Sequence, residues 1–287
     1  MSKQYNIFGH LTSRLSGIAT AFLLLVLLNS CRKEELDPIT YPSKSVDIAE
    51  LEIRTSDMGK AFTFWSETLG MPIIDTNTVS FTVKIGSSRL TYRLSNTTLP
   101  PVNHFAISIP GNQIEKALDW LKNTDGKYAN GPKNPVEIIT DEITGAEISS
   151  NPIYNSHSIY INDGTGNIIE LIARHDFGTN VTGDFNQDQL LKISEVAVVT
   201  KNITKCLGIV SEEFGVDVFP NSTSSYKPVG GADGIILLIM PNKPWKPTES
   251  ILSEPFETIV TLRYPEDKTI LLPNMVTYST FTIKTEP

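Results

Sequence analysis

Cysteine is almost absent from this 287-residue sequence, which contains only Cys31 and Cys206. Two thiols form at most one disulfide, so stability must come mainly from buried apolar surface. Runs of lysine and arginine are also absent, and the formal net charge is −8. A nucleic-acid-binding protein usually carries a basic patch, so this composition argues against a nucleic-acid partner.

A long apolar run is missing as well, since the longest one, Ile18–Leu28, is shorter than the roughly 18 to 20 residues that span a bilayer. It follows the basic residues Lys3 and Arg14, in the order of a secretory signal. The sequence Leu28-Asn29-Ser30-Cys31 comes next and resembles the lipobox of bacterial lipoproteins. We therefore predict a removable signal over residues 1–30 and lipidation of Cys31, the alternative being an ordinary signal peptide with an incidental cysteine.

The predicted lipid on Cys31 implies attachment to a membrane, outside the cytoplasm, in the cell envelope. Removal of Lys3 and Arg14 would leave a charge of about −10. Residues 31–45 are polar, hold two prolines and show no periodicity, so we predict a tether there. The remaining ~240 residues suffice for one large domain or two small ones.

The folded part contains an internal repeat. Ile48–Arg54 alternates in polarity and predicts a strand. Ser56 or Asp57 can cap the helix that follows, and Gly70 can end it. The apolar residues of that helix share one face and are Met58, Ala61, Phe62, Trp65 and Leu69.

Two later segments repeat the pattern. The strand that contains Glu195 precedes a helix that ends at Gly215, with the same spacing that separates Glu50 from Gly70. The apolar stripe of that helix consists of Ile203, Cys206, Leu207, Val210 and Phe214. A looser copy begins with the strand His104–Ile109 and continues as a helix, which Asn112 and Glu115 could start as a capping box.

Strand-like stretches follow each strand–helix pair, and a degenerate fourth copy follows residue 258. The predicted strands are Thr78–Ile85, Arg89–Leu94, Val136–Thr140, His157–Ile161, Asn167–Ala173, Tyr226–Val229, Ile235–Met240, Thr258–Tyr264 and Met275–Lys284. A strand, a helix and about three strands, repeated along the chain, predict an α+β fold.

Three stretches resemble the βαβββ modules of the vicinal oxygen chelate (VOC) superfamily, which includes glyoxalases, bleomycin-resistance proteins and extradiol dioxygenases. They are Thr63–Gly70, His104–Ile107 and Ser158–Glu170. The resemblance implies tandem modules that form open-barrel clefts. It predicts paired modules (a VOC domain) over residues 46–178, then a third module with a degenerate fourth over 190–287.

The same resemblance implies metal ligands at Glu50, His104 and Glu170. Glu50 departs from the family pattern, which usually has His or Gln there. Carboxylate and imidazole together could hold a divalent Fe, Mn, Zn or Ni ion. The alternative is that a glutamate in the opening strand is a scaffold feature that accepts hydrogen bonds from a neighbouring backbone or an arginine, because Glu195 occupies the equivalent place in the third module.

Tyr160 and His157 lie on a neighbouring strand and are candidate catalytic residues that could relay protons. The alternative for His157 is an ordinary edge histidine. The activity implied is a metal-dependent lyase, isomerase or dioxygenase that acts on a small oxygen-rich molecule. Two alternatives stay open: a metal-free protein that sequesters a small molecule, and a non-catalytic scaffold.

Overall fold

The alternation of β1 (Ile48–Thr55) buries Leu51 and Ile53 on one face and places the half-buried Glu50, Glu52 and Arg54 on the other. Helix α1 (Met58–Thr63) follows and continues as a π-helical turn, Phe64–Thr68. Asp57 begins this helix, as predicted, because its Oδ1 accepts a hydrogen bond from the Lys60 amide at 2.9 Å.

The other elements follow in chain order. The first module ends with β2 (Ile73–Thr76), β3 (Ser80–Ile85) and β4 (Ser88–Leu94). The second contains β5 (His104–Ile109), α2 (Ile114–Lys122), β6 (Ile138–Ile139), β7 (Ser149–Asn151), β8 (Ser156–Asn162) and β9 (Ile168–Arg174). The third contains β10 (Lys192–Val199), α3 (Ile203–Phe214), β11 (Tyr226–Gly230) and β12 (Ile235–Ile239). The chain ends with β13 (Thr258–Arg263), β14 (Thr269–Leu272) and β15 (Phe281–Glu286).

This computed structural model describes residues 41–95, 100–123, 127–128, 131–134, 136–266, 268–272 and 281–287. The predicted signal (1–30), Cys31 and part of the predicted tether lie outside these residues. Among the helices that are described, none has the length and apolar character needed to cross a membrane. All described residues belong to one unit.

Two mixed sheets organise the strands, and the predicted α+β fold is confirmed. One sheet has the order β14-β15-β13-β1-β4-β3-β2, and the other β11-β12-β10-β5-β9-β8-β6, with β7 paired to β8. The resemblance led us to expect the first two modules to pair with each other. Instead β1 pairs with β13 and β5 pairs with β10, so module one shares a sheet with the chain end and module two with module three.

The opening strands of modules one and three have the same irregularity. The register of β1 against β13 shifts between Ile48 and Glu50, and that of β10 against β5 shifts between Ile193 and Glu195. A bulge re-aims the side chains that follow it. This shared feature supports the internal repeat that the sequence predicted.

One apolar cluster joins both sheets and the helices, with Trp65 and Trp120 fully buried in it. Cys206 is also buried there, as expected of a residue on the helical stripe. Gly70 and Gly215 follow their helices with positive φ values of 68° and 61°, which confirms both predicted helix ends.

The predicted capping box of α2 was wrong. Helix α2 begins after Gln113, and Asn112 instead exchanges hydrogen bonds with the backbone of Val181. Strand β2 was not predicted, because it is short and three of its four residues are exposed.

The last residues of the predicted tether (31–45) are packed against the protein. Ser45 Oγ accepts hydrogen bonds from the amides of Asp233 and Gly234, each at 2.8 Å, in the turn between β11 and β12. The Tyr41 ring lies edge-on to Phe219, with the ring centroids 5.6 Å apart. Any free tether therefore ends before Tyr41.

Candidate functional site

A cleft of about 600 Å³ lies on the face of the second sheet that is turned away from the apolar cluster. This volume falls in the range of small-molecule sites. Strand alternation creates the cleft face, because Phe105 and Ile107 enter the core while His104 faces the cleft. The sequence predicted this division of β5.

A row of residues crosses the floor of the cleft. Ala106 on β5 is in register with Glu195 of β10 on one side and with Glu170 of β9 on the other. Glu195 is in turn in register with Ile235, and Glu170 with Tyr160. The small side chain of Ala106 therefore separates two carboxylates that face one cavity.

Glu170 lies beside His104, with Glu170 Oε2 3.5 Å from His104 Nε2. The hydroxyl of Ser158 donates a 2.6 Å hydrogen bond to Glu170 Oε1. Burial acts to raise the pKa of Glu170, but the hydrogen bonds from His104 and Ser158 and the charge of Arg174 outweigh it, so the pKa is lowered. Glu170 is therefore an ionised carboxylate that orients His104.

Glu195 is paired with Arg174, whose Nη2 contacts Glu195 Oε1. Arg174 Nη1 also donates to Ser194 Oγ at 3.2 Å. Burial raises the pKa of Glu195 to about 7, although the Arg174 charge opposes the rise; the nearby Glu170 charge adds to it. The floor thus carries one carboxylate that is ionised and one that is easily protonated.

Aromatic rings cover one end of the cleft. The His104 ring lies between Tyr160, with centroids 6.2 Å apart, and Trp245, with centroids 5.2 Å apart. Trp245 belongs to a loop after β12, where its amide donates to the Ile251 carbonyl at 2.8 Å. Burial, and secondarily the Glu170 charge, raises the pKa of Tyr160 well above its usual value, so its phenol stays protonated.

The cleft has a polar side and an apolar side. Strands β8 and β9 supply hydroxyl and carboxylate groups, whereas the aliphatic side comes from β11 and β12. The polar side includes Ser156, Ser158, Tyr160 and Glu170, and the apolar side includes Pro228, Ile235, Leu237 and Ile239. A molecule with one apolar face and a few hydrogen-bonding groups would match both sides.

Glu50 does not join this cleft. It lies in the first sheet, where Arg89 Nη2 is 3.2 Å from its Oε2 and Thr91 Oγ1 donates to its Oε1 at 2.7 Å. Arg89 also contacts Glu286 at 2.7 Å. Both opening-strand glutamates, Glu50 and Glu195, thus accept hydrogen bonds from an arginine, which is the scaffold alternative that the sequence left open.

The two candidate catalytic residues lie on opposite faces of β8. Tyr160 lines the cleft beside Glu170. His157 is on the other face, with its Nδ1 2.7 Å from Nε2 of His175, whose Nδ1 is 2.6 Å from the Gly111 carbonyl oxygen. The two residues are separated by an odd number of strand positions, so only Tyr160 faces the cleft, and His157 has the place of the edge histidine that was the alternative.

The residues of the cleft do not fit a catalytic divalent metal. Such a site usually takes three protein ligands. His104 and Glu170 are together, but Glu50 is in the other sheet, and Glu195 is engaged by the Arg174 cation. Across the residues that the structure describes, no three His, Cys, Asp or Glu side chains form a group that could hold a metal ion.

Sequence reasoning missed the roles of Arg174, Ser158 and Trp245 in this cleft. Ser158 could have been predicted to face the cleft, because it lies two residues from Tyr160 on the same strand. Nothing local indicated that Arg174 would reach Glu195, because the two residues belong to different modules. Trp245 lies in a loop, where no strand or helix periodicity indicates the direction of a side chain.

Comparisons with known proteins agree with this architecture. Residues 47–138 match the family model of the Glyoxalase/Bleomycin resistance protein/Dioxygenase superfamily. Among curated proteins, a search gives no match.

Solved structures with a similar arrangement include a "putative dioxygenase" from Bacillus subtilis subsp. subtilis str. 168. It is 12% identical with a TM-score of 0.51, and the similarity covers 85% of this chain and 86% of that one. Glyoxalase I from Zea mays is 11% identical with a TM-score of 0.46, over 84% and 93% of the two chains. The Bacillus subtilis structure establishes a shared fold.

Proposed function

We propose that this chain, which has the fold of the glyoxalase/bleomycin resistance protein/dioxygenase superfamily, binds a small molecule in the cleft of its second sheet without a metal. One observation carries the proposal: the cleft is open at about 600 Å³, yet its candidate metal ligands are engaged by protein groups. Of the alternatives that the sequence left open, this geometry favours the metal-free binding protein.

A purely structural role is less compatible with the cleft. A scaffold that has lost its site would be expected to fill the cavity with apolar side chains, because close packing stabilises an interior. This cavity instead keeps a polar side and an apolar side. Maintaining buried polar groups costs stability unless they are paired, so a ligand that contacts them gives a reason for their presence.

A metal-dependent lyase, isomerase or dioxygenase is less well supported. It would require Glu50 to leave Arg89 in the first sheet, or Glu195 to leave Arg174, before a third ligand could reach His104 and Glu170. Breaking the buried Arg174–Glu195 pair would leave an uncompensated charge and is costly. The pairing of β1 with β13 and β4 keeps Glu50 in the first sheet. We therefore assign no metal-dependent step to these residues.

We also propose that the protein is anchored by lipid on Cys31 and acts in the cell envelope. The support is the sequence Leu28–Cys31 after an apolar run. Mass spectrometry of the membrane-extracted protein should find Cys31 as an acylated N-terminus. A Cys31→Ser variant that is still cleaved after residue 30, or an unmodified protein whose N-terminus carries no acyl chain, would overturn this assignment.

Ligand binding can be tested with the full chain and 1-aminoanthracene, an uncharged fluorophore whose emission increases and shifts to the blue in an apolar cavity. We expect saturable binding before and after dialysis against a chelator. A metal site would contain about one equivalent of metal per chain. Elemental mass spectrometry on the same samples should find Fe, Mn, Zn and Ni each well below that amount.

Two leucine-to-tryptophan substitutions locate the bound probe. Leu237→Trp places a large ring in the cleft and should abolish binding, whereas Leu271→Trp, at an exposed position in the first sheet, should not. Circular dichroism checks that both variants fold. Equal binding by the two folded variants, or binding that requires a reloaded metal, would contradict the proposal.

A further inference from the structure

Three polar atoms at the cleft have no hydrogen-bond partner among the described residues: Nδ1 of His104, Oγ of Ser156 and Nε1 of Trp245. All three side chains line the cleft and are more than nine-tenths buried, with exposures of 7%, 2% and 4%. Buried polar groups are nearly always paired, so unpaired groups at one cavity indicate the ligand that would pair them.

Glu170 determines the role of His104. An ionised carboxylate only accepts hydrogen bonds, so the His104 Nε2 atom that faces it carries the proton. In the neutral imidazole Nδ1 is then a bare acceptor. The indole Nε1 of Trp245 is always a donor. The end of the cleft under these two rings therefore offers one acceptor and one donor.

A hydroxyl group complements such a pair, because it donates one hydrogen bond and accepts others. The His104 and Trp245 ring centroids are 5.2 Å apart, so one small group can reach both side chains. Ser156, whose hydroxyl donates or accepts, can contact a second polar group of the same molecule.

The charges of the floor disfavour an anion. Glu170 is ionised, and Arg174 is already hydrogen-bonded to Glu195 and Ser194. Placing a ligand carboxylate beside Glu170 would add a like charge in a buried site. Lys243 and Lys246 also line the cleft, but Lys246 pairs with Glu249 at 3.0 Å.

We propose that the ligand is an uncharged, largely apolar molecule with a hydroxyl group, which donates to His104 Nδ1 and accepts from Trp245 Nε1. Its apolar body lies on the aliphatic side formed by β11 and β12. This inference rests on the proposed function, and it names the recognition residues and the chemical class of the ligand.

Three probes with one ring test the inference on the full chain: benzyl alcohol, toluene and benzoate, titrated by ligand-observed NMR. We expect benzyl alcohol to bind at least about tenfold more tightly than toluene, because toluene leaves both buried atoms unpaired. Benzoate should bind more weakly than benzyl alcohol. Equal affinity for benzyl alcohol and toluene, or a preference for benzoate, would overturn the inference.

Variants that replace one aromatic ring with another test which atoms cause the preference for benzyl alcohol over toluene. His104→Phe removes the acceptor, and Trp245→Phe removes the donor. Each variant should reduce the preference for benzyl alcohol over toluene to within about twofold without weakening the binding of toluene. His157→Phe, on the opposite face of β8, is the matched control and should retain the preference. If the His104 or Trp245 variant, folded by circular dichroism, keeps the full preference, the assignment is wrong.

The same two side chains also border a void of about 10 Å³, the size of one water molecule. If an internal water molecule forms hydrogen bonds with these atoms instead, benzyl alcohol will bind no more tightly than toluene, and this result overturns the inference. Binding of 1-aminoanthracene without any binding of benzyl alcohol also overturns it but leaves the proposed function intact. If no probe binds, 1-aminoanthracene included, the proposed function itself fails.

Discussion

Glu195 forms its ion pair with Arg174 across two strands, in the floor of the cleft, where both side chains are largely buried. Burial raises the pKa of Glu195 to about 7 from an ordinary value of 4.5. Between these values the folded state binds this proton more readily than the unfolded chain does. The free energy of unfolding should therefore fall as the pH rises through this window, and level off above it.

In the unmodified protein the free energy of unfolding should decrease by on the order of 3 kcal/mol across this window. A Glu195→Gln variant should lose this pH dependence. Urea unfolding at pH 5 and at pH 8 measures the slope of the free energy of unfolding against pH. This slope, and not the absolute stability, is compared between the variants. Glu212→Gln, on the exposed side of α3, should keep the slope of the unmodified protein. A Glu195→Gln variant with an unchanged slope would refute the assignment.

Tyr92 links the two sheets, since its hydroxyl donates a 2.7 Å hydrogen bond to Asp163 Oδ2 in the turn between β8 and β9. Both residues are fully buried. Tyr92→Phe should lower the free energy of unfolding by about 1 to 3 kcal/mol, because it removes a donor from a buried carboxylate. Tyr264→Phe, at a half-buried position, should change stability by less than about 0.5 kcal/mol. Similar losses in the two variants would argue against the link.

His157 should be dispensable for ligand binding, because it faces away from the cleft and contacts His175. His157→Gln is expected to cost about 1 kcal/mol of stability through the lost hydrogen bond and to leave 1-aminoanthracene affinity within about twofold. Fluorescence titration and urea unfolding on one preparation measure both quantities. A large loss of affinity with normal stability would restore His157 as a site residue.

Glu50 should behave as a partner of Arg89 and not as a metal ligand. Because both side chains are about a third exposed, Glu50→Gln should reduce stability by less than about 1 kcal/mol. Chelator treatment should leave the thermal midpoint of both proteins unchanged. A midpoint that falls on chelation in the unmodified protein, but not in the variant, would make Glu50 a ligand after all.

Local pattern was sufficient for most elements of the fold. The alternation of β1 and of β5, the helical stripe that buries Cys206 and the glycines at 70 and 215 all follow from side-chain periodicity and backbone conformation within a few residues. The same alternation predicted that His104 would face a cleft. The α+β class and the internal repeat therefore came from the sequence alone.

Tertiary structure alone decided which modules share a sheet. Strand pairing across modules depends on long-range registers, such as Glu195 with Ala106, that no local periodicity encodes. The pairing of β5 with β10 brings Glu195 and Arg174 to the cleft, while the pairing of β1 with β13 and β4 keeps Glu50 in the other sheet. The sequence determined the chemistry that each strand could offer, and the order of strands in the sheets decided which of those groups meet.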